Sequence, residues 1–422
     1  MDEWRGVSKN DEPFPIVPGK KGLQVQMVED AIALGVKHAA LNVNLVRMID
    51  LNGGANSIAW QTDGKTCNFR SDYMEQLDRQ VKPLSDAGIV VSLILLDYQS
   101  GEPALDRIML HPNYDPTCPN RLSAFNTSTP DGLRYFKACI EFLAERYSRA
   151  DRAHGRVANY IIGNEVNSHW FWCNMGRTTM ETFADDYLRS VRVAHTAIRK
   201  FSSHARVYVS LEHHWNIRYP GGDAMQTFPG RLFLDYFNRR AREGGDFDWH
   251  LAFHPYPENL FEPHTWNDRT ATTNDNTPRI TFKNLELLPR YVLRPELLYH
   301  GQPRRIILSE QGFHTPDTSD GETVQAAAYC YAYYKTAHLD GIDAFIYHRH
   351  VDHQFEGGLK LGLWRRNEKS SSASESAARK RIYEVFRLAD TPGWEKAFEF
   401  ALPIIGIRQW SEIPSDAPKS RR

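Results

Sequence analysis

The sequence predicts an α/β fold, a (β/α)8 TIM barrel with long loops on its catalytic face. Strand-like runs alternate with helix-like runs along the 422 residues, and alternation at this count favours a closed barrel over an open sheet. The run at 89–96 is almost entirely apolar, which is typical of a parallel strand covered on both faces. No glycine-rich phosphate-binding loop follows a strand, which weakens the nucleotide-binding alternative.

The hydrophobic periodicity, together with the glycine and proline positions, predicts eight strands and eight helical segments. Pro289 and Pro295 are expected to break the sixth helical segment. The strands are expected at 21–25, 37–46, 89–96, 158–163, 205–211, 249–253, 305–308 and 342–347. The helices are expected at 27–34, 73–87, 131–147, 180–200, 232–242, 282–299, 324–339 and 377–388.

The long loops follow strands, and in a barrel they would all lie on the rim formed by the carboxyl ends of the strands. That rim is therefore expected to build a large cleft. The predicted domains are an N-terminal extension at 1–20, a catalytic barrel at 21–390 and a C-terminal extension at 391–422. The Ser-rich stretch 369–378 is expected to be mobile, and the chain end 415–422 is expected to be disordered. The long loops are 49–71, 99–130, 167–179, 254–280 and 348–376.

The charge balance excludes several classes of partner. With 51 Lys and Arg against 52 Asp and Glu the formal charge is −1, so neither nucleic acid nor an anionic membrane is expected to bind. No run of 18 apolar residues occurs, so no membrane span is expected. The first residues lack the pattern of a signal peptide. Secretion with a leader absent from this chain and a cytoplasmic location both stay open, as does the oligomeric state.

The five cysteines are widely spaced, and no C-x-x-C pair occurs. This spacing excludes a dense disulfide framework and argues against a zinc knuckle. Cys139 and Cys330 lie in helical patterns and are expected in the core. Cys67, Cys118 and Cys173 fall in predicted loops, where one disulfide is allowed.

Two glutamates at predicted strand ends are the candidate catalytic residues. Glu165 follows the apolar run 158–162, and Glu310 follows the apolar run 305–308. A retaining glycosidase needs a protonated carboxyl and a carboxylate roughly 5–5.5 Å apart, and mutual repulsion keeps one of two nearby carboxyls protonated. The pair therefore predicts cleavage of a glycosidic bond. Glu212, at the end of the fifth strand, is the rival to Glu310.

The chain resembles the clan A glycoside hydrolases in three short motifs. These are Asn164-Glu165 after the fourth strand, His254-Pro255-Tyr256 after the sixth and Ser309-Glu310 after the seventh. The resemblance covers about 21–388. It implies that Glu165 is the general acid/base, that Glu310 is the nucleophile, and that Tyr256 hydrogen-bonds Glu310. The segments 21–25 and 38–44 are also similar to a little-characterised branch catalogued as a domain of unknown function, which implies no substrate.

Other polar and aromatic residues near the strand ends are candidate sugar contacts. Asn164 is expected to hydrogen-bond the sugar 2-hydroxyl, a contact that strengthens in the transition state. Aromatic side chains in the rim loops suit stacking on the apolar face of a pyranose. The candidate substrate-binding residues are Asn44, Asn164, Trp170, Trp172, His214, Trp215, His254, Tyr256 and His348.

The sequence departs from the clan pattern at two positions. Many clan members carry a tryptophan at the end of strand eight, where this chain offers Tyr347, His348 or, from the following loop, Trp364. Many also place an arginine near strand two against the nucleophile, for which Arg47 is the candidate. These departures leave the sugar unidentified.

The favoured prediction is a retaining β-glycoside hydrolase that acts on an oligo- or polysaccharide without a metal or cofactor. A carbohydrate-binding barrel without catalysis is one alternative. The other is a metal-dependent barrel hydrolase, because histidines at strand ends can bind zinc. Its candidate ligands are His214, His254, His348, His350, Asp352 and His353.

Overall fold

The computed structural model describes residues 9–414. The chain end predicted to be disordered, 415–422, lies outside the described residues, as do residues 1–8 of the predicted N-terminal extension. The strands of the described part are β1 (Lys21–Gln24), β2 (His38–Asn44), β3 (Ser57–Thr62), β4 (Lys65–Arg70), β5 (Val90–Leu96), β6 (Asn159–Ile162), β7 (Arg206–Glu212), β8 (Trp249–His254), β9 (Ile306–Gln311), β10 (Ile342–Tyr347), β11 (Trp364–Arg366) and β12 (Ser376–Arg379).

Helices follow most of the barrel strands, as the alternating pattern predicts. Short 3-10 turns lie between several of them, among them Phe282–Asn284 and Pro295–Leu297. The α-helices of the described part are α1 (Val28–Ala33), α2 (Leu45–Met48), α3 (Ser71–Asp86), α4 (Pro103–Met109), α5 (Pro130–Arg146), α6 (His169–Trp172), α7 (Met180–Arg199), α8 (Gly230–Glu243), α9 (Leu287–Val292), α10 (Gly321–Ala337), α11 (Arg381–Leu388), α12 (Trp394–Ala397) and α13 (Leu402–Ile405).

Within residues 9–414, eight strands close into a barrel in the order β1, β2, β5, β6, β7, β8, β9 and β10. The predicted fold class is therefore confirmed, and each predicted strand corresponds to one barrel strand. Closure depends on β1, which pairs in parallel with both β2 and β10. Gly22 sits at this seam, where a Cβ would lie 2.9 Å from side-chain atoms of both His38 and Ile346. Only glycine leaves room for the two neighbours.

The structure corrects several predicted segments, among them the loop 167–179, which contains α6, and the loop 348–376, which contains β11. β3 and β4 form an antiparallel hairpin inside the predicted loop 49–71, and α4 lies inside the predicted loop 99–130. The last helix begins at Arg381 and not at 377, because the residues before it form β12, which pairs with β11.

The chain divides into two compact units. The first comprises the residues up to Ile16, Leu41–Leu211 and Ile217–Leu251. Aromatic side chains fill its core, for example Phe69 and Phe142, whose rings stack with centroids 4.5 Å apart.

The second unit comprises Val17–Ala40, Glu212–Asn216 and the residues from Ala252 onward. Its core is also aromatic, and Tyr329 packs against Phe386 with ring centroids 5.4 Å apart. The predicted domain boundaries at residues 20 and 390 stay predictions.

All five cysteines are free and buried. The disulfide allowed among Cys67, Cys118 and Cys173 is therefore not formed, and Cys67 lies in β4 and not in a loop. Among residues 9–414, no helix combines the length and apolar character needed to span a bilayer.

Candidate active site

Both carboxylate oxygens of Glu310 accept hydrogen bonds. Tyr256 donates its hydroxyl to Oε1 at 3.1 Å, and Gln24 donates its side-chain amide to Oε2 at 3.0 Å. Glu310 lies within β9, which runs three residues beyond the predicted strand end. Gln24 was not predicted, because nothing near it in the chain marks the last residue of β1 as a site residue.

These neighbours favour the ionised form of Glu310. Burial raises the pKa of its carboxyl, since desolvation disfavours the charged form. The His348 and His254 rings act in the opposite direction. Together with the hydrogen bonds from Gln24 and Tyr256, they hold the pKa below its ordinary value. The group is a carboxylate at neutral pH.

Gln24 also connects Glu310 to His348. A carboxylate only accepts hydrogen bonds, so the amide nitrogen of Gln24 faces Glu310 and its carbonyl oxygen faces His348 Nδ1 at 2.6 Å. That ring nitrogen must therefore carry the hydrogen. On the other side of the ring, Nε2 lies 3.1 Å from Glu356 Oε1. The chain from Glu356 through His348 fixes the orientation of the amide that holds Glu310.

His254 is buried at the end of β8. Its Nε2 lies 2.9 Å from the hydroxyl of Ser309, the residue before Glu310. The contact supports the strand end that carries Glu310. The predicted role of His254 in binding sugar stays a prediction.

Glu165 stands in a tight turn directly after β6. Its backbone is left-handed, with φ 41° and ψ 51°, and Gly163 before it has φ 78°. Left-handed backbone at a residue other than glycine is uncommon and clusters at functional sites. The Glu165 N–H donates to the Ser210 hydroxyl at 3.1 Å, which secures the turn against β7. Asn164, between the two, is buried.

The residues after Glu165 are held by aromatic packing. The His169 ring stacks between Phe183 and Phe228, with centroids 4.6 Å and 5.0 Å away. The Phe228 N–H donates to the Asn167 carbonyl at 2.6 Å. A well-packed support of this kind keeps the Glu165 turn rigid.

The three candidate tryptophans differ in burial. Trp170 and Trp172 lie on α6 and are half-buried, so each presents part of its ring to solvent. Trp215 is buried, and its ring packs edge-on against Phe253 and Tyr291. These contacts place Trp215 in the core, and its predicted role in binding sugar stays a prediction.

Asn44 ends β2, and its side chain has an unused acceptor. Oδ1 is shielded from solvent and has no hydrogen-bond partner among the described residues. Arg47 follows on α2, exposed, with its guanidinium 5.8 Å from the centre of the Tyr73 ring. We do not assign Arg47 to the nucleophile.

Glu212, the rival carboxylate, is tied to His214. The Glu212 Oε2 atom accepts from the His214 backbone N–H at 2.9 Å and lies 2.6 Å from its Nδ1. Burial raises the pKa of Glu212, but the adjacent His214 outweighs it and brings the pKa to about 2. One ligating atom each from Glu212, His213 and His214 falls within 4.8 Å of the others, so this trio could hold a metal ion.

The predicted zinc ligands at 348–353 do not converge on one point. His350 Nε2 lies 2.9 Å from Asp30, and Asp352 forms an ion pair of 2.6 Å with Lys380. The zinc hypothesis for this cluster is therefore dropped.

Two of the three residues that could take the place of the clan's strand-eight tryptophan have other partners. Tyr347 is buried and donates its hydroxyl to the Leu361 carbonyl at 2.8 Å. Trp364 donates its indole N–H to Asp30 at 3.0 Å. His348, which contacts Gln24, is the candidate that we retain.

Sequence comparison decides the family. The model of a family of unknown function, DUF5722, matches residues 13–413. The chain belongs to this family. The similarity noted at 21–25 and 38–44 is thus confirmed. No curated protein matches the sequence.

Several solved structures similar to this DUF5722 chain are glycosidases. A family 39 glycoside hydrolase from the gut symbiont Bacteroides cellulosilyticus WH2 matches with a TM-score of 0.53 and 14% identity over 88% of this chain. This chain covers 63% of that enzyme, less than two thirds of its length.

Two β-glucosidases match over most of their length. The family 1 enzyme from Thermotoga maritima gives a TM-score of 0.53 and 12% identity over 85% of this chain and 84% of that one. The hyperthermophilic enzyme from Pyrococcus furiosus gives 0.52 and 14% over 90% and 86%. At these identities the likeness shows a fold shared with glycoside hydrolases.

Proposed function

We propose that this protein is a retaining glycoside hydrolase that cleaves β-glycosidic bonds of an oligo- or polysaccharide. One observation carries the proposal: Glu310 is a half-buried carboxylate held by Tyr256 and Gln24. A carboxylate fixed in this way at a strand end is prepared to attack a carbon and form an ester.

Glu165 is the proposed general acid/base. Support comes from its position directly after β6, in a left-handed turn braced by Ser210. Glu165 follows β6, and Glu310 lies one residue before the carboxyl end of β9, so each belongs to the rim formed by the carboxyl ends of the strands. Active sites of TIM barrels are built on that rim.

The reaction proceeds in two displacements. In the first, Glu310 attacks the anomeric carbon, the bond to the leaving oxygen breaks, and Glu165 gives that oxygen its proton. In the second, Glu165 takes a proton from water. The water oxygen attacks the same carbon, and the bond to Glu310 breaks. Two inversions leave the anomeric configuration retained.

Trapping the covalent intermediate tests the proposal. An aryl 2-deoxy-2-fluoro-β-glycoside slows both displacements but keeps a good leaving group, so the ester accumulates. Peptide mapping by mass spectrometry is expected to find the sugar on Glu310. Glu310→Gln should form no adduct, whereas Glu212→Gln, the control, should still be labelled at Glu310. A label on Glu212 would overturn the assignment.

A metal-dependent hydrolase is the second candidate function, because Glu212, His213 and His214 could supply three ligands. A carboxylate and two imidazoles form a typical zinc site. Under this alternative, dialysis against a chelator abolishes hydrolysis and stoichiometric zinc restores it. Under the proposed mechanism, the chelator leaves the rate unchanged.

A further inference from the structure

A large cavity lies in the first unit beside the ends of β2 and β5. It measures about 930 Å³, which is at the upper end of the range of about 300–1,000 Å³ found for ligand pockets. Its walls come from residues after β2, from the end of β4 and from the segment 99–105 after β5. In the barrel order β5 adjoins β6, the strand that leads to Glu165.

We propose that this cavity binds the part of an uncharged oligosaccharide that extends beyond the cleaved bond. The inference rests on the proposed function and adds a substrate class to it. The substrate would be a chain of neutral sugars and not a single glycoside.

The lining suits sugar hydroxyls. Side-chain amides of Asn44, Asn52, Asn56 and Gln99 line the cavity, and an amide offers both donors and an acceptor. Among the described residues, none that lines the cavity is aromatic, so recognition there depends on hydrogen bonds.

The charges of the lining disfavour acidic sugars. Four carboxylates and two guanidinium groups face the cavity. One guanidinium, Arg70, is already paired with Asp72 at 3.1 Å. The excess of carboxylates repels a uronate or a sulfated sugar.

Two aspartates hold the walls in place before any ligand arrives. Asp50 accepts from the backbone N–H groups of Asn52 and Gly53 at 3.0 Å and 3.2 Å, and also from the Ser57 hydroxyl. A preformed wall lowers the entropy lost on binding.

The second aspartate fixes the opposite wall. Asp106 accepts from the N–H and the hydroxyl of Ser100 at 2.7 Å and 2.6 Å, and from the Gly101 N–H at 3.0 Å. Ser100 and Gly101 are thereby held against α4.

A steric block tests the cavity separately from the chemistry. Ala104 is exposed and lines the cavity, so Ala104→Trp fills part of it without disturbing the core. Ala153→Trp is the matched control, because Ala153 is also exposed but precedes β6, at the other end of the barrel. The double variant Asn52→Ala/Asn56→Ala removes two amides without adding bulk.

Two assays separate the two claims. Hydrolysis of an aryl β-monoglycoside tests the proposed function. The cavity is tested by calorimetry, which measures how neutral β-linked oligosaccharides of increasing length bind to the Glu310→Gln protein. We expect affinity to rise beyond the disaccharide, and to fall about tenfold in either cavity variant but not in the control. Three results would overturn the inference, whatever the first assay shows: an affinity that does not change with chain length, an affinity that Ala104→Trp does not lower, or a higher affinity for a uronate chain.

Discussion

The side-chain amide of Gln24 hydrogen-bonds Glu310 at 3.0 Å although 286 residues separate the two in sequence. Gln24 ends the first barrel strand and Glu310 lies on the seventh, and β10 is the strand that pairs with both β1 and β9. The contact therefore exists only once the barrel has closed. It couples the ionisation of the proposed nucleophile to the closure of the fold.

Replacing Gln24 with Leu is expected to move the acid limb of the kcat/KM profile to higher pH. Glu310 is active as a carboxylate, and its pKa lies below the ordinary value, so activity is present above that pKa and is lost as the pH falls through it. Removing a donor to the carboxylate raises the pKa. Gln26→Leu is the control, because Gln26 is exposed and binds the Ser374 carbonyl. An acid limb that does not move would show that Gln24 has no such role.

Glu165→Ala is expected to lower kcat for a poor leaving group by about a hundred- to ten-thousand-fold, the usual contribution of a general acid. An activated aryl glycoside should lose less in its first step, because its leaving group needs no proton. Added azide should then restore turnover and give a β-glycosyl azide, since azide attacks the ester without a base. The product is identified by proton NMR. An α-azide from this variant would reverse the two assigned roles.

Most of the strands were predictable because they are short, mainly apolar and bounded by glycine or by polar residues. The run at 89–96 shows this best, since β5 differs from it by one residue. The hairpin of β3 and β4 was missed, although Asp63-Gly64 lies between them. That dipeptide favours the two-residue hairpin turn in which both residues have positive φ, and here φ is 49° and 70°.

The site was predictable only where the chain carries a local motif. Asn164-Glu165 and His254-Pro255-Tyr256 follow strands directly, so the local sequence marks them. Gln24 has no such mark, because its contact with Glu310 depends on strands that meet across the barrel. The burial of Trp215 could not be predicted for the same reason, since burial is set by the elements that pack over a residue and not by its neighbours in the chain.

Trp172→Ala and Trp215→Ala are expected to have opposite effects. Trp172 is half-buried on α6, so its loss should raise KM for the sugar about three- to tenfold and leave the melting temperature nearly unchanged. Trp215 is enclosed, so its loss leaves a cavity and costs about 3–5 kcal/mol of unfolding free energy. Steady-state kinetics and urea unfolding measure the two effects. A stable Trp215→Ala protein with a raised KM would show that Trp215 contacts the sugar.

The buried ion pair between Lys335 and Glu286 is expected to matter for stability. Their charged atoms lie 2.6 Å apart, and both side chains are almost inaccessible to solvent. Lys335→Met leaves the Glu286 carboxylate buried without its partner, which typically costs about 3–5 kcal/mol. Lys82→Met is the matched control, because Lys82 pairs with Asp86 at 2.8 Å on the exposed face of α3, and exposed pairs contribute at most about 1 kcal/mol. Urea unfolding of both variants should show a large fall in the first and almost none in the second. Equal midpoints would show that the buried pair contributes no more to stability than the exposed one.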